Sequence, residues 1–167
     1  MKRFFPLFII FIILFSACDS NKDKELLASA TAKADAKNYT EALKDYQKII
    51  DEYSSSDNAA ESLFAVAAMY HMYQIPNLSQ EESLKKAVTY YEKLYQDFPK
   101  NEKAAKSLFM AAFIKANELN QIEGARTDYK TFIEKYPNHE LATQARIELD
   151  NLGKTPEEIL QNSTAKK

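Results

Sequence analysis

The sequence predicts an all-α protein: an α-solenoid of about three helix hairpins closed by a C-terminal capping helix. Three observations predict it. A pattern A-x3-Y-x2-[ILF]-x3-[YF] occurs three times, as Ala42, Tyr46, Ile49 and Tyr53, then Ala87, Tyr91, Leu94 and Phe98, then Ala125, Tyr129, Phe132 and Tyr136. Its offsets of four, seven and eleven residues return to one side of a helix, so each copy is a helix with a single apolar stripe. Each copy is followed six residues later by an alanine (Ala59, Ala104, Ala142), with Ser62, Ser107 and Ala145 three further on, which places a second helix at constant distance. The whole chain of 167 residues holds only two glycines, Gly124 and Gly153, too few for phosphate-cradling loops or tight strand hairpins. A unit that cannot cover its own stripe must stack on a copy of itself.

The N-terminus, MKRFFPLFIIFIILFSAC, has two cations, an apolar run from Phe4 to Phe15 and a small pair before the only cysteine. It reads as a signal peptide over residues 1–17, because the run is shorter than the roughly 20 residues that span a bilayer core. Ser16-Ala17-Cys18 resembles the lipobox of bacterial lipoproteins, with Phe15 where leucine is usual. The resemblance implies a diacylglycerol and an N-acyl lipid on Cys18, and no other cofactor. Several acyl chains hold a protein stably on a membrane, each buried CH2 adding roughly 0.8 kcal/mol. With one cysteine, no internal disulfide forms. Removing residues 1–17 takes two cations away, leaving 20 against 24 acidic residues and changing the net charge from -2 to -4. Such a balance offers no basic face to nucleic acid.

Residues 18–25 read as a lipidated end and polar tether, and 26–161 as the folded domain. The first helix follows from Leu26 through Lys37, rich in alanine. Asn38 with Glu41 predicts a capping box for the helix that carries the first motif, and Asn58 with Glu61 another for the helix that runs to about Tyr73. Pro76 interrupts the periodicity and Ser79 with Glu82 restarts it, giving a helix to Phe98 that Pro99 ends. Further helices are predicted from Glu102 to Glu118, across the third motif, and from Glu140 to Leu152, where Gly153 supplies a left-handed cap. Thr155-Pro156-Glu157-Glu158 predicts a final capped turn through Gln161, and residues 162–167 a disordered tail.

The motif copies resemble the tetratricopeptide repeat, a helix-turn-helix unit, over nearly all of residues 26–152. The residues that carry it are Ala42, Ala87 and Ala125, the aromatics Tyr46, Tyr91 and Tyr129, the closing Pro99 and Pro137, and the small Ala30, Ala67 and Ala112. The copies lie 45 and 38 residues apart rather than the usual 34 or so, a longer-helix variant. Lipid-anchored repeats of this kind resemble the repeat lipoprotein of the outer-membrane β-barrel assembly machinery and the repeat domain of the Tol-Pal-associated periplasmic protein, matching neither in full. The resemblance implies a bacterial envelope address on the periplasmic side, the outer membrane favoured over the inner, with other envelope proteins or peptides as partners.

The resemblance also implies a groove lined by the first helix of each pair: Leu27, Thr31 and Ala34, then Phe64, Ala68 and His71, then Phe109, Phe113 and Ala116. Phe64 and Phe109 occupy equivalent positions, so they either floor an apolar peptide groove or pack inside the solenoid. No catalytic or metal-ligating set is expected: His71 and His139 lie in different repeats without HxxxH or CxxC spacing, and the carboxylates alternate with lysines as solvated pairs do. No small-molecule substrate is implied. The favoured function is a membrane-anchored interaction scaffold. Its alternatives are a subunit of an outer-membrane assembly complex that uses convex tyrosines such as Tyr90 and Tyr95, and an envelope enzyme with an unrecognised site.

Overall fold

The computed structural model describes residues 21–165. The expected signal peptide and Cys18 lie outside the described residues. Eight helices follow one another: α1 Lys22–Asp35, α2 Tyr39–Glu52, α3 Asp57–His71, α4 Gln80–Asp97, α5 Lys103–Asn117, α6 Ile122–Lys135, α7 Ala142–Asn151 and α8 Pro156–Ala165. Pairs α1/α2, α3/α4 and α5/α6 are hairpins, α7 packs on α6, and α1, α3 and α5 touch in sequence to form one layer. The described residues form an all-α solenoid.

The motif phase decides what is inside. Ala42, Ala87 and Ala125 are wholly buried, as are Ala30, Ala67 and Ala112 opposite them, so the helices of each hairpin meet where neither carries a large side chain. Tyr46, Tyr91 and Tyr129 fill the space toward the next helix, and Ile49, Leu94 and Phe132 are fully buried one turn on. Each large side chain taken out of water contributes about 1.5–3 kcal/mol. The apolar interior falls into two clusters, one over the first two hairpins and one around α5, α6 and α7, with Tyr95 and Met110 bordering both.

Local signals work where a side chain is free to make them. Ser79 and Glu82 form a full capping box at α4: the Glu82 backbone N–H donates to Ser79 Oγ at 3.2 Å, and the Ser79 N–H donates to the Glu82 carboxylate at 2.9 Å. Thr155 and Glu158 make the same reciprocal pair at α8. Two expected capping boxes are absent. Asn38 makes no side-chain cap, and Glu41 pairs with Lys44 instead. Asn58 is spent on Asp23, 2.8 Å away, and Ser56 caps α3 by accepting from the Ala59 N–H.

Two boundaries and one packing role differ from expectation. The tether is shorter than eight residues because α1 begins at Lys22; Asp23, buried in its first turn, accepts from Asn58 of α3 and pins the helix start. The tail is helical through Ala165, since nothing in Asn162 to Ala165 stops the turn that Thr155 starts. Pro99 and Pro137 do not pack between repeats: both are exposed, in the turns that end α4 and α6. Proline acts there by refusing a continued helix. The wider spacing of the first two motifs comes from the eight-residue connection 72–79, against four residues at 118–121, and from an extra first turn on α4.

Candidate interaction faces

The layer formed by α1, α3 and α5 carries the predicted groove positions, and their surroundings differ from repeat to repeat. Leu27 and Ala34 are half-buried against the first core cluster, and Thr31 is exposed with its hydroxyl 3.4 Å from that of Tyr46. Phe64 meets Tyr91 edge-on at 5.6 Å and 68°, and Phe109 meets Tyr129 at 5.7 Å and 67°. Their equivalence is therefore geometric, and its use is packing between neighbouring helices. Phe109 is 7% exposed and also touches Phe132, so it is core and not the floor of a groove.

Phe64 stays half-buried under two cations, Lys103 Nζ at 5.8 Å and Lys106 Nζ at 5.4 Å from its ring centre. Lys103 is held by Glu61 at 2.8 Å, and that hydrogen bond keeps its ammonium pKa above the ordinary value. On the same two helices Ala65 and Ala68 of α3 and Met110, Phe113 and Ala116 of α5 are also half-buried. The α3 and α5 part of this face thus keeps small and apolar side chains partly exposed, with Lys103 and Lys106 over Phe64.

His71 leaves the groove set for a surface network. Its Nε2 lies 2.8 Å from Glu118 Oε1, and the Tyr73 hydroxyl donates to the other Glu118 oxygen. His139 acts as a turn lock: its Nδ1 accepts from the Leu141 N–H at 3.1 Å, and its ring stands edge-on to Phe132. Among the described residues no cluster of three His, Cys, Asp or Glu could hold a metal, and no helix is long and apolar enough to cross a membrane.

A further set of paired side chains, in register with the motif, bridges this layer and the one formed by α2, α4 and α6. The residue before each motif tyrosine faces the residue three after each small α1, α3 or α5 alanine: Asp45 with Lys33, Tyr90 with Tyr70, and Asp128 with Lys115. The first pair is an ion pair at 2.5 Å, joined by the Ser29 hydroxyl at 2.7 Å. In the middle hairpin the two tyrosine rings stack at 5.7 Å and 18°, and in the third the ion pair returns at 2.7 Å.

The residue after the preceding motif tyrosine ties the second and third pairs to the repeat before them. Gln47 accepts from the Tyr90 hydroxyl at 2.7 Å, and Glu92 pairs with Lys115 at 2.5 Å. Gly124 belongs to this ladder, because a Cβ there would sit 3.3 Å from Lys115 Cδ. Tyr90 and Tyr95 are consequently not free convex contacts: Tyr90 is stacked and hydrogen-bonded, and Tyr95 is half-buried with Lys135 Nζ 5.1 Å from its ring.

Burial sets the titration of these groups. It pushes the Tyr91 phenol up to about 12 and raises Tyr129 further. The Tyr129 hydroxyl is buried with no hydrogen-bond partner among the described residues. For Lys115, burial favours the neutral amine, but Asp128 and Glu92 outweigh it and raise the pKa. For Asp128, burial wins over the Lys115 attraction and its carboxyl pKa is raised as well, with Glu92 adding to the rise.

Two segments of the chain match the tetratricopeptide repeat, residues 26–56 and 106–139. The two matched segments span α1/α2 and most of α5/α6, the hairpins with the Lys–Asp pair; the hairpin between them has the long 72–79 connection and the Tyr–Tyr stack. No curated protein matches the chain.

Proposed function

We propose that this protein is a lipid-anchored tetratricopeptide-repeat scaffold of the bacterial envelope, held by an acylated Cys18 and binding another envelope protein or peptide. The stacked hairpins carry the binding part of this reading, because a solenoid presents one continuous face to an extended ligand. The strip over α3 and α5 is the contact surface the side chains favour: Ala65 and Ala68 leave room, Met110 and Phe113 supply apolar area, and Lys103 and Lys106 border it. An extended segment with an apolar residue and a flanking carboxylate fits that chemistry. The address rests on the order of cations, apolar run and Ser16-Ala17-Cys18.

The test is co-purification of the lipidated full-length protein from its own membranes in mild detergent, with retained proteins identified by mass spectrometry. A partner that is lost on Ala68→Arg or Lys106→Glu, with helical content unchanged, supports the reading. Retention of the same partner by both variants rules out this strip. An intact mass without acyl groups rules out the anchor.

A further inference from the structure

The helices of this solenoid run between two edges of different character. One edge holds the start of α1 and the turns that link successive hairpins, at 53–56, 98–102 and 136–141. The other holds the turns inside the hairpins, at 36–38, 72–79 and 118–121, and the connection 152–155. The hydrogen bond from Asn58 to the buried Asp23 locks the beginning of α1 to the beginning of α3, so the chain enters the fold rigidly at the linking-turn edge.

We propose that the linking-turn edge lies against the headgroup surface of a lipid bilayer and that the opposite edge points away from it. This rests on the lipid-anchor reading of Cys18. From Cys18 to Asn21, the N-cap of α1, there are three peptide steps, a reach of at most about 11 Å, so the start of α1 stays close to the anchor. Helix α4, at 18 residues, carries the far edge about 27 Å further out.

The two edges are suited to these places. The linking turns expose Ser54, Ser55, Lys100 and Asn138, and mix Lys22, Lys24, Lys103 and Lys135 with acidic neighbours, a surface that hydrogen-bonds headgroups without inserting. Both edges mix the two signs of charge, the far edge setting Lys85 against Glu81 and Arg126 against Glu123, so the orientation rests on where the chain enters the fold. The far edge carries exposed Met72, at 64%, and the ring of Tyr73, at 43%, whose hydroxyl is held by Glu118 and Gln80; the apolar Met72 is placed where a protein and not a lipid reaches it.

The experiment uses the lipidated full-length chain in vesicles of phosphatidylethanolamine and phosphatidylglycerol containing a headgroup-attached quencher. A fluorophore is placed on Ser55→Cys, Lys100→Cys or Asn138→Cys at the linking turns, and on Pro76→Cys or Asn117→Cys at the far edge, all exposed positions. Acylation of Cys18 is read first by intact mass and folding by circular dichroism. A turn variant that loses helicity is replaced by Ser54→Cys, Glu102→Cys or Glu140→Cys.

The expected result is several-fold stronger quenching at all three linking turns than at both far-edge sites. Equal quenching at the two edges, or quenching at residue 55 alone as in a solenoid standing on its first hairpin, overturns the orientation while leaving the anchor intact. An unacylated Cys18 overturns the anchor reading and the orientation with it, and the mass spectrum separates that failure from the others.

Discussion

Lys115→Met is expected to destabilise the fold by about 2–3 kcal/mol at neutral pH. The Lys115 side chain is 12% exposed and ties α5 to Asp128 on α6 and Glu92 on α4. Removing one partner of a fully buried pair costs about 3–5 kcal/mol, and Glu92, at 33% exposure, keeps enough water contact to reduce that. Methionine retains the aliphatic packing beneath Gly124, so the loss reads the charge. With a urea slope of about 2 kcal/mol/M, the unfolding midpoint should fall by about 1 to 1.5 M.

The pH dependence carries the same logic. Asp128 has a raised folded pKa, so its protonation favours the folded state, and it weighs against stability once pH rises through that value. Without Lys115 the carboxyl rises further, and Glu92 loses its cation. The gap between variant and parent should therefore narrow as pH falls from 7 toward the raised Asp128 value. On the alkaline side, the Lys115 contribution to the parent is present below the unfolded lysine value and is lost as pH rises through the raised folded one. Lys33→Met is the internal control: its side chain is 35% exposed in a single pair, so the cost should stay under about 1 kcal/mol. Equal midpoints for Lys115→Met and the parent, or a gap that widens in acid, would refute the buried-ladder argument.

Further outcomes follow from the packing and the caps. Phe109→Ala should cost about 3–5 kcal/mol in urea unfolding, and Phe64→Ala clearly less, because Phe109 is core and Phe64 is half-buried; a reversed order contradicts the burial reading. Tyr129→Phe removes a hydroxyl with no partner among the described residues and should raise the melting temperature or leave it unchanged. A loss above about 1 kcal/mol would show that the hydroxyl is bonded in solution. Ser79→Ala should lose about 1 kcal/mol and speed amide exchange in the first turn of α4, while Asn38→Ala, which removes no side-chain cap, should leave α2 unchanged.

The sequence by itself determined the helix hairpins, their number and the phase of their buried face. Ala42, Ala87 and Ala125 and the tyrosines four residues on sit inside because a 3.6-residue period leaves no other stripe to bury. It also held the Ser79 capping box, a contact between residues three apart.

What it could not carry were choices made between distant residues. Asn58 looks like a cap in its own segment, yet Asp23, 35 residues away, takes its amide. Tyr90 looks like a convex contact until Tyr70 and Gln47 close on it. Phe64 and Phe109 are equivalent in register, but α5 lays two lysines beside the first, and α6 buries the second beneath Tyr129 and Phe132. Local pattern fixes which side of a helix faces inward. Only the stack decides which polar groups find partners and which apolar ones remain at the surface, because both depend on the neighbouring repeat.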